Sequence, residues 1–206
     1  MSFENLDDLI DRARGRLTPL EGPETLPEEG DGDLAELSGK PLRDAAVLVP
    51  VIPRKSGATA LLTTRPQTMA SHPGQVAFPG GKVDEGDRDV VAAALRETEE
   101  EVGVSAQLVE PIARSAPYLT GTAYRITPVL ALLPGDVQPV PDPGEVANIF
   151  EVPIERLFAP NSFEMRETHW QGQMRRYYQM DYSGHRIWGV TAGIIQALRR
   201  KLYEDV

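Results

Sequence analysis

Apolar residues recur at helical spacing in three stretches of the chain and at strand spacing between them. Near the start, Phe3, Leu6, Leu9, Ile10 and Leu17 fall on one side of a short amphipathic helix over 3–17. A second helix is expected within 80–104, ending at Gly103, and a third after Trp188, with Val190, Ile194, Ile195, Leu198 and Leu202 on one face. Between the first two lie the buried-strand run 45–53 and its partner 58–65, joined by a turn at Lys55–Gly57 into a hairpin. Pro50 and Pro53 suggest that the first of these strands is an edge or carries a bulge. A short extended piece, 75–81, leads to a glycine pair, and two more strands are read at 107–114 and 124–134. Residues 137–145 form a proline-rich loop, 145–158 a strand and one helical turn, and 163–182 a hairpin around Gln171–Gln173. Mixed strands with two principal helices make an α/β domain whose sheet cannot be all parallel, and no internal repeat is present.

Composition then narrows the partners. The 206 residues carry 21 basic and 31 acidic side chains, a net charge of −10, which argues against a general nucleic-acid binder. Residues 1–40 hold eleven of the acids and four of the bases. Within them 18–33 is rich in Pro, Gly and acid without periodicity, which reads as a linker. The chain thus divides into 1–40, a helix and acidic linker whose helix docks on the domain or supports a homodimer, and a compact domain over 41–206. No cysteine is present, so disulfides, a thiol nucleophile and a Cys-based zinc site are excluded. No apolar run is long enough for a membrane span and the N-terminus lacks a signal-peptide pattern, so a cytoplasmic protein without a membrane partner is expected.

The stretch Gly80–Val104 carries the chemistry. Asp87 or Asp89 is placed to cap the helix and Gly103 to end it. Val91, Ala94, Leu95, Thr98 and Val102 share a core face, while Glu97, Glu100 and Glu101, spaced i, i+3, i+4, form a second stripe bordered by Arg96. Glu99 lies nearly opposite Glu97 and is expected in solvent. Carboxylates crowded at a helix C-terminus repel one another and oppose the helix dipole, unless a cation sits among them. A solvated acidic face is the plainer reading. Against it stand the single arginine, the Gly80-Gly81 turn where a carbonyl can approach a cation without a Cβ, and a donor set of oxygens that suits Mg²⁺ or Mn²⁺. An EF-hand fails because Leu95 stands where its last Glu belongs, and a P-loop fails at Val76 and Val83.

Arg96-Glu97, Glu100-Glu101, Gly103 and Val104 resemble the box of the Nudix hydrolases, GX5EX7REUXEEXGU with U aliphatic. The spacing from Gly81 to Arg96 is one residue longer, Asp87 replaces the first Glu, and Thr98 stands for an aliphatic. The longer form with Asp is similar to the coenzyme A pyrophosphatase branch. That branch has an upstream signature of the form Leu-Leu-Thr-x-Arg-(Ser/Ala)-x3-Arg-x3-Gly-x3-Phe-Pro-Gly-Gly. Leu61-Leu62-Thr63, Arg65, Gly74 and Phe78-Pro79-Gly80-Gly81 match it in register, with departures at Pro66 and Ala70. Glu145–Pro153 and His185–Thr191 also look like the branch, and the resemblance covers roughly 45–200.

The resemblance implies a Nudix fold, an α/β/α sandwich with a mixed sheet. It also implies Mg²⁺- or Mn²⁺-dependent hydrolysis of a diphosphate in a small nucleotide derivative. Glu97 and Glu101 are the implied metal ligands, with Glu100 and the Gly81 carbonyl joining them. Arg96, Asp87 and Gly103 have structural roles in the box, Arg96 orienting a carboxylate. The general base is open among Glu97, Glu100 and Glu145, the last if its loop folds over the site. Arg65, His72 and Gly80 are candidate substrate contacts, set against an exposed strand-end arginine and a loop-ordering histidine. His169 and His185 read as structural, and Phe78 and Trp188 as core, with stacking of an aromatic on adenine as the alternative. Coenzyme A or acyl-coenzyme A is the leading substrate, cut to 3′,5′-ADP and a phosphopantetheine product. The alternatives are ADP-ribose or NADH, and a non-catalytic nucleotide sensor.

Overall fold

The computed structural model describes residues 3–23, 25–27, 29–31, 41–69, 71–170 and 173–204. In chain order these give α1 (Leu6–Arg16), β1 (Glu29–Gly30), β2 (Arg43–Arg54), β3 (Gly57–Thr64), β4 (Val76–Ala77), β5 (Gly80–Lys82) and α2 (Val90–Val102). They continue with β6 (Glu110–Arg114), β7 (Tyr118–Leu119), β8 (Tyr124–Leu132), β9 (Asn148–Pro153) and α3 (Ile154–Phe158). Last come β10 (Glu164–Trp170), β11 (Gln173–Tyr182), β12 (His185–Trp188) and α4 (Gly189–Tyr203). Gln171 and Gly172, the expected turn of the last hairpin, lie outside the described residues, as do Ala70 and the 32–40 part of the acidic segment.

β2 is an almost continuous apolar run because both of its faces are covered. Ala46, Leu48 and Ile52 point to one core, shared with Leu61, Val129, Ala131 and the buried face of α2. Val49 and Val51 point to the other, shared with Ala60, Leu62, Leu130 and residues of α1, α3 and α4. The period of two along the strand therefore separates the layers of an α/β/α sandwich. β2 pairs with β8 in parallel and with β3 and β5 antiparallel. β4 and β9 extend from β3, β6 and β7 from β8, and β1 runs parallel to β7, making one mixed sheet. β10, β11 and β12 form a separate antiparallel sheet, in which β12 was not foreseen.

β2 is central, not the edge its prolines suggested. The Leu48 N–H donates to the Pro79 carbonyl at 2.8 Å, so the N–H of residue 50, two positions on, would point to the same side. On that side β2 changes partner, pairing with β5 up to Val47 and with β3 from Val51. Pro50 falls in the gap, where no ladder bond is demanded.

α1 docks on the domain itself. Leu9, Ala13 and Leu17 are buried in the core that holds Ile194, Ile195, Leu198 and Leu202 of α4. The chain beyond α1 is also tied down where a linker was expected. The Arg114 guanidinium donates to the carbonyls of Pro19, Gly22 and Pro23. Thr18 bridges to Arg114 main chain. No described helix is long and apolar enough to cross a membrane. Phe78 is core as expected, whereas Trp188, at the N-terminus of α4, is 36% exposed and meets the Tyr177 ring edge-on.

Candidate active site

α2 starts at Asp89, whose carboxylate accepts from the Ala92 N–H, and ends at Gly103, whose φ of 65° is the left-handed cap that glycine adopts without strain. Val91, Ala94, Thr98 and Val102 are buried as their spacing predicts, and Leu95 is partly buried. Thr98 tolerates complete burial in an aliphatic's place because its hydroxyl donates to the Ala94 carbonyl at 2.7 Å. Glu101 is buried as well, which the arcs did not foretell.

The carboxylate stripe turns toward β5. Glu101, 4% exposed, accepts from the Gly80 N–H at 3.2 Å, and its other oxygen lies 4.0 Å from the Arg65 guanidinium. Burial pushes its pKa up to about 7, with Glu97 and Glu145 adding to the rise and the Gly80 N–H and Arg65 opposing it. The Glu97 carboxylate occupies the space that a Cβ on residue 81 would fill, so only glycine permits this approach. Burial raises the Glu97 pKa too, Arg96 lowers it, and Glu100 and Glu145 raise it further.

Arg96 organises the outer side. Its Nε and Nη2 donate to the two Asp87 oxygens at 3.0 Å each. Nη1 donates to Glu97 and to Glu100 at 3.0 Å each, and Nη2 also reaches the Lys82 carbonyl. This pairing holds the Asp87 carboxyl below its ordinary pKa and raises that of Arg96. Asp87 therefore serves Arg96 while Asp89 caps the helix. Glu99 is exposed and accepts from the Ala106 N–H.

Glu145 arrives on the proline-rich loop. The Val140 and Asp142 N–H groups donate to the carbonyls of Val102 and Glu101, orphan acceptors at the end of α2, and the Ala147 N–H donates to Thr64. This docking carried no periodic signal in the sequence; its one trace is the Asp-Pro-Gly turn at 142–144. Arg65 heads a loop closed by its own N–H to the Gln75 carbonyl and by the Gly74 N–H to the Arg65 carbonyl. Its Nε is buried without a hydrogen-bond partner among the described residues. His72, exposed and at a φ of 56°, makes a 2.8 Å bond to the Gln75 side chain within this loop. His185 stacks on Phe150 and His169 is exposed on β10. The structure thus brings Glu97, Glu100, Glu101, Gly80, Gly81, Arg65, Arg96 and Asp87 together, with Glu145 on the loop docked against the end of α2.

Among the described residues no three carboxylate or imidazole groups surround a common point. Arg96 draws Glu97 and Glu100 one way, and the Gly80 N–H holds Glu101 the other. The donor set nonetheless fits a hard dication. It is all oxygen, two of its members are carboxylates whose pKa values burial raises, and glycine main chain approaches them without a Cβ.

Residues 42–176 match the NUDIX domain. The chain is 43% identical over 160 residues to an uncharacterized Nudix hydrolase, NudL, of Photorhabdus laumondii, covering 78% of this chain and 85% of that one. The NudL of Yersinia pestis is 38% identical over 160 residues, covering 78% and 80%. Among solved structures, the chain is similar to a C. elegans Ap4A hydrolase complex, with a TM-score of 0.46 and 22% identity over 53% of this chain and 79% of that one. It is also similar to DR0079 from Deinococcus radiodurans, with a TM-score of 0.49 and 17% identity over 81% and 88%. The chain belongs to the Nudix hydrolases. It is a Nudix pyrophosphohydrolase, of a family that acts on nucleoside diphosphate derivatives with divalent cations.

Proposed function

We propose that this enzyme hydrolyses the diphosphate of coenzyme A or acyl-coenzyme A to 3′,5′-ADP and (acyl-)phosphopantetheine, with Mg²⁺ or Mn²⁺ held by Glu97 and Glu101, joined by Glu100 and the Gly81 carbonyl. The observation that carries the reading is the 4.0 Å approach of Arg65 to Glu101, which sets the upstream signature against the box helix. The Gly80 N–H bond to Glu101 ties the end of the same signature to the same carboxylate.

A dication held by these residues would neutralise diphosphate oxygens and acidify water. The chain's own residues hold, orient and accept a proton. Glu145 is the base of this proposal, because Glu97 and Glu100 are both engaged by Arg96 while Glu145 is exposed and makes no ion pair among the described residues. It takes a proton as the water oxygen bonds to phosphorus; the anhydride P–O bond breaks, and its electron pair stays on the departing phosphate oxygen. Arg65 meets the diphosphate charge, and Arg96 keeps two box carboxylates oriented.

Product analysis with coenzyme A, dephospho-coenzyme A, ADP-ribose and NADH tests the reading. Preferential cleavage of coenzyme A to 3′,5′-ADP is expected. Equal rates with the dephospho form would remove recognition of the 3′-phosphate. Cleavage of ADP-ribose or NADH alone would favour the second substrate class, for which the departures at Pro66 and Ala70 speak. Tight Mn²⁺ binding without any hydrolysis would mark a sensor.

A further inference from the structure

The loop carrying Glu145 is fixed by main-chain bonds at its two sides. Before Glu145, the Val140 and Asp142 N–H groups donate to the carbonyls of Val102 and Glu101, each at 2.9 Å. After it, the Ala147 N–H donates to the Thr64 carbonyl at 2.8 Å, one residue from Arg65. The anchors are therefore the backbone of Glu101 and of the neighbour of Arg65, so the loop inherits the frame of the site.

Between the anchors the chain turns through Asp142-Pro143-Gly144-Glu145. The Asp142 carbonyl accepts from the Glu145 N–H at 3.1 Å and from the Val146 N–H at 2.8 Å. One Asp142 carboxylate oxygen accepts from the Gly144 N–H at 2.7 Å. An Asx turn of this kind offers the backbone a bend that a residue without a side-chain acceptor cannot stabilise. Asp142 accepts the three bonds of the turn on one side and docks on Glu101 on the other. The anchors on Glu101 and Thr64 set Glu145 between the end of α2 and the strand end that carries Arg65.

We propose that Asp142 is a positioning residue, whose carboxylate closes the turn that holds Glu145 over the box carboxylates. This rests on the reading of Glu145 as the base, and its effect passes through Glu145 alone. Asparagine presents the same acceptor oxygen to Gly144, so the role needs the oxygen and not the charge.

The test is a double-mutant cycle of Asp142→Ala and Glu145→Gln, with Asp142→Asn as the rescue, assayed on coenzyme A or on whichever of the four compounds above is cleaved. We expect Asp142→Ala to lower kcat about tenfold with little change in KM, the size of one lost hydrogen bond. Asp142→Asn restores the rate, and Asp142→Ala costs nothing further once Glu145 is Gln. Hydrogen exchange of the Gly144, Glu145 and Val146 amides accelerates in Asp142→Ala and returns in Asp142→Asn. A full rate in Asp142→Ala, an unchanged loss in the Glu145→Gln background, or failure of Asn to rescue would overturn the positioning role while leaving Glu145 as base. Full activity in Glu145→Gln would instead overturn the base, and this inference with it.

Discussion

Arg96 and Asp87 face each other through two parallel bonds, Nε to one carboxylate oxygen and Nη2 to the other, each 3.0 Å long. The pair joins the turn before α2 to its second half, and from it Arg96 spans Glu97 and Glu100. The Asp87 side chain is only 6% exposed, and its loss leaves the half-buried Arg96 Nε without its acceptor. Asp87→Ala should lower unfolding free energy by about 1–3 kcal/mol, with turnover falling as Glu97 loses orientation. Urea denaturation with parallel assays checks this, and equal stability to the parent would refute it.

The glycine pair separates function from folding. A Cβ on residue 81 meets the end of the Glu97 side chain, whereas a Cβ on residue 80 meets the main chain of Ala46 and Val47 at a φ of 151°. Gly81→Ala should fold with near-parental thermal stability and lose at least about tenfold in Mn²⁺ affinity. Gly80→Ala should lose roughly 2–4 kcal/mol of stability. Calorimetric titration and thermal melts of the two variants decide it; similar behaviour in both assays would contradict the contrast.

Glu101 gives a pH signature. Its pKa rises from 4.5 to about 7 in the folded chain because burial disfavours the charge. A raised folded pKa contributes stability that is complete below the unfolded value and is lost as pH rises through the folded value. In chelator, the urea midpoint should therefore fall between about pH 4.5 and 7, and added Mg²⁺ should recover it at neutral pH. Glu101→Gln should flatten this slope, keeping at neutral pH about the stability the parent has at the acid end, and reduce turnover by at least about a hundredfold. An unchanged slope in the variant would assign the titration elsewhere.

Arg65 bears on Glu101 as well as on substrate. It lowers the Glu101 pKa, so Arg65→Ala should move the acid limb of the rate profile to higher pH. If it also meets the diphosphate, KM for the cleaved compound rises about tenfold or more, and Lys restores part of it. An alanine variant with the parental profile and KM would leave Arg65 as a surface arginine.

The parts of the site that follow one helix's geometry were legible in the residues. The arcs of α2 separated its core face from the Glu97, Glu100, Glu101 stripe, and Gly81 was marked by its neighbours. Depth was not legible. Glu101 is buried because Gly80 and Arg65 come over it from other elements, and no local pattern encodes that. Asp87 and Asp89 were interchangeable as caps until the reach of Arg96 distinguished them. The Arg114 clamp on residues 19–23 and the docking of Val140 and Asp142 on α2 consist of side-chain-to-backbone or loop-to-helix bonds. Such bonds leave no period in a sequence. Pro50 misled because the rule against proline in central strands assumes an unbroken ladder, and here the ladder changes hands.

That change of hands also bears on how the enzyme fails. β5 is a short strand, yet it is inserted beside β2, with Pro79 bonded to Leu48 and Gly80 against Ala46 and Val47. The floor of the proposed metal site is thus part of the central sheet. Local breathing can release the loops that bear Arg65 and Glu145, but exposing the glycine pair requires the sheet to come apart. Heat loss of the proposed metal site and loss of the tertiary fold should then be one cooperative event, while substrate access remains a property of the loops.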